Sequence, residues 1–182
     1  MRLFLGIPLN DSVLAELTRL TARLRPTIAD LRWSAPESWH ITLQFLGNTT
    51  GDQYGCLIAR LVELQCPPVP VQLDGVGIFD RAGVFYAGVE VTPQLVALQQ
   101  RVMAATAACG FEPESRPYHP HITLARAKAA SLRELRSLLS GIWSQPKFPR
   151  FTTREFLLYE SHLSSSGSTY EIRHRFPLSA TG

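Results

Sequence analysis

The chain has 182 residues, of which 45% are hydrophobic and 18% charged, and its formal net charge is +3. This composition favours a folded globular protein over a disordered one, and the length suits one domain or two small lobes sharing a core. The longest apolar run near the start, residues 3–9, is too short to span a bilayer. We therefore expect a cytoplasmic protein without a membrane partner, and the mild positive charge gives only weak support for an anionic ligand.

The cysteines Cys56, Cys66 and Cys109 are odd in number and include no Cys-x-x-Cys pair. Such a set suggests neither a disulfide framework nor a thiolate zinc site. We expect reduced, partly buried thiols.

Hydrophobic periodicity predicts the same run of elements twice: a strand, a helix, an irregular arm, a second strand and a second helix. In the first half the regular elements fall at about 2–8, 11–25, 39–46 and 52–65, and in the second at about 83–91, 93–109, 120–127 and 131–142. Another strand is predicted over 69–79, after a Pro-Pro break. The tail offers strands over 151–159 and 169–176, separated by a turn at 164–167.

The tetrapeptide His-Ile-Thr-Leu begins at His40 and again at His121, 81 residues later. The same ungapped offset places residues 3–6 on 84–87, and it superposes apolar positions of the predicted helices. We infer an ancient duplication within one two-lobed domain that spans 1–182. Its halves are roughly 1–80 and 81–150, followed by C-terminal strands over 151–178. The predicted fold is α+β and bilobal, with two mostly antiparallel sheet lobes, helices on the outer faces and a central cleft.

Each His-Ile-Thr-Leu strand presents an imidazole beside a hydroxyl, because residues i and i+2 of a strand share a face. Imidazole titrates near neutrality, so one histidine of a pair can accept a proton while the other donates one. Hydrolysis of a phosphodiester without a metal needs both actions at once. A lone His-x-Thr strand is most often a structural feature, but packing would not require both residue types on the open face twice.

These motifs resemble those of the two-histidine phosphoesterases, and within them the bacterial RNA 2',3'-cyclic phosphodiesterases, also called 2'-5' RNA ligases. The resemblance covers nearly the whole chain, through residues 2–7, 39–47, 116–126 and the ending at 158–161, 167, 170 and 176–178. It implies a bilobal fold, cleavage of a cyclic phosphate to a 2'-phosphate, and a side ability to join tRNA halves through 2'-5' linkages. It also implies no metal and no other cofactor. The expected partners are RNA with 2',3'-cyclic phosphate ends or 2',3'-cyclic nucleotides, bound by a monomer.

By position, the resemblance makes His40 the proton donor to the leaving 3' oxygen and His121 the proton acceptor that activates water. Thr42 and Thr123 would hold the phosphate. The spacing alone leaves open which histidine is the acid and which is the base.

Two further positions are candidates for substrate binding. Arg126 matches an arginine that neighbours the phosphate in similar proteins. Strict strand alternation would point it away from His121, so that a bulge or the strand end would have to redirect it, and an ordinary surface arginine is the alternative interpretation. Phe45 is the equivalent position in the first half and could stack on a base, but a core phenylalanine explains it as well.

Two other functions compete with this interpretation. His119 and His121 lie on one strand face, and with His40 they could form a three-histidine zinc site of a metal-dependent phosphohydrolase. The repeat argues against it, because Ser38 stands where the first half would need the equivalent of His119. The second rival is a non-catalytic module that binds RNA or a cyclic nucleotide in the cleft, but binding alone would not require two titratable groups.

Overall fold

The computed structural model describes residues 1–28, 30–127, 129–141, 146–164 and 167–179. The helices are α1 Asp11–Leu24, α2 Gly51–Val62, α3 Pro93–Ala107 and α4 Ala129–Gly141. The strands are β1 Arg2–Pro8, β2 Arg32–Trp33, β3 His40–Asn48, β4 Val69–Val71, β5 Leu73–Phe79, β6 Val84–Val89, β7 His121–Arg126, β8 Phe151–Thr153, β9 Glu155–Ser164 and β10 Gly167–Pro177. Two residues of the predicted turn, 165 and 166, and position 142 of the last predicted helix lie outside the described residues. Within the described part, no helix has the length and apolar character needed to cross a membrane.

Two four-stranded sheets form the framework, and their strand pairs are antiparallel. Sheet 1 has the order β10-β9-β1-β3 and sheet 2 the order β2-β7-β6-β5, while β4 and β8 pair as a separate ribbon. Apolar residues of both sheets and the buried apolar residues of α1, α2 and α3 belong to one continuous core. The predicted α+β fold with antiparallel sheets and packed helices is confirmed.

The sheets do not separate at residue 80. Strands β2 and β5 precede that point in the sequence but pair within sheet 2, and the C-terminal strands β9 and β10 complete sheet 1. Each sheet therefore combines strands from distant parts of the sequence. The division into halves at 1–80 and 81–150 remains a prediction about ancestry, distinct from this sheet membership.

Local sequence accounts for where the helices begin. The Asn10 side chain accepts a hydrogen bond from the Val13 backbone at the start of α1, and Thr92 does the same at the start of α3, where Pro93 occupies the first turn. Thr50 and Gln53 form a reciprocal capping box at α2. Polar caps of this kind satisfy backbone N–H groups that have no partner within the helix.

The ungapped offset of 81 was wrong for the strands β1 and β6 and for the starts of the helices α1 and α3. Phe4 lies opposite Phe45 and Val84 opposite Arg126, so the strands β1 and β6 correspond at an offset of 80. The helix caps Asn10 and Thr92 correspond at 82. Pairing register and helix packing, which the linear alignment does not contain, decide which residues are equivalent.

The expectation of three reduced thiols was also wrong. Cys56 of α2 and Cys109, just after α3, form a disulfide, and Cys66 is free and buried. The two partners are 53 residues apart in the sequence, and only the packing of α2 against α3 brings them together. An odd cysteine count does not exclude one disulfide beside one free thiol.

Candidate active site

A bulge at the same place in β3 and β7 directs three side chains of each strand into the cleft. Leu5 and Gly6 pair with Gln44 and Thr42, so that Leu43 is the extra residue of β3. In β7 the extra residue is Leu124, because Phe85 and Tyr86 pair with Ala125 and Thr123. Two consecutive buried residues therefore interrupt the alternation in both strands.

As a result, the cleft faces carry matching sets of side chains. His40, Thr42 and Phe45 lie along one face of β3, and His121, Thr123 and Arg126 along the corresponding face of β7. The redirection that Arg126 would need is thus present. Phe45 is 72% exposed, so it is not a core phenylalanine.

Each histidine is fixed by the backbone carbonyl two residues before it. Nδ1 of His40 lies 2.8 Å from the Ser38 carbonyl oxygen, and Nδ1 of His121 lies 2.8 Å from that of His119. Because a carbonyl only accepts hydrogen bonds, both Nδ1 atoms carry a proton and donate it. Nε2 of each neutral ring is therefore the free, basic nitrogen.

Ser38 and His119 occupy equivalent positions, and each contributes its backbone carbonyl to the histidine two residues later. Because any residue can supply a backbone carbonyl, a histidine side chain is not required at this position. The side chain of His119 is exposed.

In sheet 1, the His40 ring packs against three aromatic rings. Its centroid is 4.6 Å from that of Phe4, 5.6 Å from Tyr159 and 5.2 Å from Tyr170, and Phe4 and Tyr159 are stacked at 4.9 Å. Gly6 leaves space beneath the ring, since a Cβ there would lie 3.3 Å from Cδ2 of His40 and 3.0 Å from the Ile41 carbonyl oxygen. The position of His40 is thus defined by packing on several sides.

In sheet 2, His121 has different surroundings. Phe79 and Tyr86 are stacked at 4.0 Å, and their centroids lie 5.0 Å and 5.6 Å from that of His121. His119 and Arg126 add polar groups close to this ring.

Burial and neighbouring charge lower the pKa of both imidazoles. For His40, burial is the main cause and lowers the pKa to about 4, with a further decrease from the charge of His121 and an opposing contribution from the Ser38 hydrogen bond. For His121, burial again lowers the pKa most, and the charges of His119 and Arg126 add to the effect. The charge of one catalytic candidate thus acts on the other across the cleft.

A hydrogen bond joins the segment before β7 to β3 of the other sheet, since the Tyr118 hydroxyl donates to the Thr42 carbonyl at 3.0 Å. Within sheet 2, the Ser34 backbone extends the β2–β7 pairing by donating to the Leu124 carbonyl at 2.8 Å. On the buried side of β3, the Thr106 hydroxyl donates to Oε1 of Gln44 at 2.7 Å. Segments outside the motifs therefore help to keep β3 and β7 in place.

Potential metal ligands form a cluster elsewhere. In the described part of the chain, the group of three ligand-type side chains that converge within 4.8 Å is Glu160, His162 and Glu171, on the β9–β10 hairpin. They already form ion pairs: His162 with Glu171 at 3.2 Å, and Arg173 with both glutamates. The set His40, His119 and His121 is not such a group.

Sequence reasoning missed Tyr118, whose hydroxyl bonds to the Thr42 carbonyl. It also missed the aromatic residues and the glycine that surround the motif histidines: Phe4, Gly6, Phe79, Tyr86, Tyr159 and Tyr170. Some of them lie in segments that carry the family resemblance, but their type alone is equally typical of a core. Only strand pairing shows that they lie under the histidines.

A family model described as the 2'-5' RNA ligase superfamily matches residues 9–163. A protein of Archaeoglobus fulgidus named RNA 2',3'-cyclic phosphodiesterase is 27% identical over 174 residues, which cover 94% of this chain and 97% of the relative. An Escherichia coli protein of the same name is 27% identical over 178 residues, covering 97% and 96%.

Solved structures agree with the sequence relatives. Escherichia coli LigT complexed with 3'-AMP superposes with a TM-score of 0.81 at 28% identity, covering 97% of each chain. The TT0787 protein of Thermus thermophilus gives 0.77 at 27% identity and covers all of both chains. With a family model that matches most of its length, this chain belongs to the 2'-5' RNA ligase superfamily.

Proposed function

We propose that this protein hydrolyses RNA 2',3'-cyclic phosphate ends to 2'-phosphate ends, with His40 and His121 as a general acid–base pair and no metal. The observation that carries the proposal is the shared Nδ1 anchoring of the two histidines, which leaves a basic Nε2 on each of two opposed His-x-Thr strands. Relatives named RNA 2',3'-cyclic phosphodiesterase over nearly the whole chain support this substrate.

In the proposed reaction, His121 Nε2 takes a proton from water as the water oxygen bonds to phosphorus. The bond from phosphorus to the 3' oxygen breaks, and His40 gives its Nε2 proton to that oxygen. The Thr42 and Thr123 hydroxyls donate hydrogen bonds to the non-bridging oxygens, where charge develops. Arg126 adds positive charge on the same face. If a 5'-hydroxyl replaces water, the same steps join two RNA ends through a 2'-5' linkage.

The low pKa of His40 places a condition on its role as the donor. With a pKa of about 4 it is neutral at pH 7, and a neutral ring anchored through Nδ1 has no Nε2 proton to give. A bound cyclic phosphate brings a negative charge into the cleft, and an adjacent negative charge raises the pKa of imidazole. His40 is therefore protonated on substrate binding and can then act as the acid, whereas His121 is already neutral and can act as the base without a change in protonation.

The test is to incubate the protein, in the presence of a chelator, with an oligonucleotide that ends in a 2',3'-cyclic phosphate, and to identify the product. We expect turnover to a 2'-phosphate. Loss of activity in chelator and its return with a metal would favour a metal-dependent phosphohydrolase. Stoichiometric binding with unchanged substrate would favour a non-catalytic module.

A further inference from the structure

A pocket of about 280 Å³ lies on sheet 2, and the Tyr86 ring in its lining is 5.6 Å from the ring of His121. Its lining includes Asp74, Tyr86, Gly88, Glu90, Val91 and His119. Gly88 pairs directly with His121, and Tyr86 with Thr123, so the pocket shares a face with the second His-x-Thr motif. We name it the β5–β6 pocket.

The residues that line this pocket suit a flat, partly apolar ring. Tyr86 provides an aromatic wall that is itself held by stacking on Phe79. The wall lies over Gly77, where a Cβ would come within 2.6 Å of the Tyr86 ring. Gly88 carries no side chain into the pocket, and Val91 adds an apolar edge. Aromatic walls of this kind bind nucleobases by stacking.

The polar groups of the β5–β6 pocket define which edge of a base it would accept. Asp74 and Glu90 are exposed carboxylates at its rim, and an ionised carboxylate only accepts hydrogen bonds. They match an exocyclic amino group, such as N4 of cytosine, and repel a carbonyl at the same place, such as O4 of uracil. They also disfavour a phosphate, so the pocket is unsuited to the RNA backbone.

The position of the pocket decides which part of the reaction it serves. In an in-line displacement the entering group and the leaving 3' oxygen lie on opposite sides of phosphorus. Under the proposed function His121 is beside the entering group, and the pocket adjoins His121 on sheet 2 rather than His40 on sheet 1. If the entering group is water, neither reactant contacts this pocket. If the entering group is the 5'-hydroxyl of a nucleoside, the base of that nucleoside lies on this side of phosphorus.

We propose that the β5–β6 pocket binds the base of a nucleoside whose 5'-hydroxyl replaces water, and that it prefers bases with an exocyclic amino group. This inference rests on the proposed function. The new bond joins the 5' oxygen to phosphorus and the bond to the 3' oxygen breaks. His121 receives the proton of the 5'-hydroxyl, and His40 gives its proton to the 3' oxygen, so that no further reactant is needed.

The experiment supplies a 2',3'-cyclic phosphate oligonucleotide together with 2',3'-dideoxycytidine or 2',3'-dideoxyuridine, in which only the 5'-hydroxyl can attack. The ratio of 2'-5'-joined product to 2'-phosphate measures how often the nucleoside 5'-hydroxyl, instead of water, attacks phosphorus. We expect this ratio to be about tenfold higher for the cytidine analogue, since one amino-specific contact is exchanged for a repulsive one.

Two variants assign the preference to the pocket. Asp74→Asn and Glu90→Gln should each lower the ratio for the cytidine analogue relative to the uridine analogue, while hydrolysis continues at its original rate. Glu63→Gln, which removes an exposed carboxylate at the end of α2, is the matched control and should change neither value.

Equal capture of both analogues, capture of neither, or a preference that survives both pocket variants would overturn the inference while leaving hydrolysis intact. Absence of hydrolysis in the wild-type protein would instead overturn the proposed function, and the pocket assignment with it.

Discussion

His40 in sheet 1 and His121 in sheet 2 both pack against aromatic rings, but a guanidinium and a second imidazole also lie beside His121. Both rings are anchored through Nδ1 to the carbonyl two residues earlier, so the backbone of the two sites is alike. The repeated motif thus reproduces the tautomer and orientation of the two rings, while the side chains around each ring come from neighbouring strands whose residues differ between the two sheets.

The largest expected effect comes from removing either side of the pair. His40→Ala and His121→Ala should each lower turnover on a cyclic-phosphate oligonucleotide by about 10²–10⁴-fold, because each removes one proton transfer. The double variant should lose much less than the product of the two factors, since the histidines act as one relay. Circular dichroism controls for folding. Near wild-type turnover in either folded single variant would contradict the mechanism.

A substrate with sulfur in place of the leaving 3' oxygen separates the two roles. Thiolate departs without protonation, so we expect His40→Ala to recover most of its loss on this substrate, by roughly 10²-fold or more. His121→Ala should stay as impaired as before, because water must still be activated. Rescue of His121→Ala in place of His40→Ala would reverse the acid and base assignments and would keep the pair.

The threonines test whether the two sides contribute equally to holding phosphate. Thr42→Ala and Thr123→Ala should each cost roughly 10–100-fold in kcat/KM, as expected for one transition-state hydrogen bond of about 1.5–3 kcal/mol. Thr→Ser variants keep the hydroxyl and serve as matched controls. If Ser and Ala variants behave alike, the hydroxyls do not act on the phosphate.

The smallest effect concerns stability against pH. The folded-state pKa of His40 is about 4, below its value of about 6.5 in an unfolded chain. The unfolded state therefore binds more protons between these values, and the free energy of unfolding falls as pH decreases through that window. At pH 4 this contribution amounts to about 2–3 kcal/mol.

Urea titrations at pH 7.5 and pH 4.5 measure this difference. His40→Gln should lose less stability on acidification than the wild type. His121→Gln should also lose less, because its pKa is lowered in the same direction. The idea that burial controls the protonation of His40 fails if the wild type and His40→Gln respond equally to pH.

Much of the local structure followed from the sequence. The strands around His40 and His121 and the starts of α1 and α3 followed from hydrophobic periodicity, which is a property of neighbouring residues. The register of the repeat did not, because an ungapped alignment cannot show that β1 and β6 correspond at 80 and the caps at 82. The Cys56–Cys109 disulfide was missed for the same reason, since its partners meet only through helix packing.

By itself, the sequence determined which reactive groups are present. The alternation of side chains along a strand places an imidazole and a hydroxyl on one face, and the motif occurs twice. The tertiary structure decided the rest. The bulges at Leu43 and Leu124 bring Phe45 and Arg126 to the cleft face, where strict alternation would hide them. Burial against Phe4 and Tyr159 lowers the pKa of His40. Desolvation and strand pairing arise from residues distant in sequence, so only the folded chain sets them.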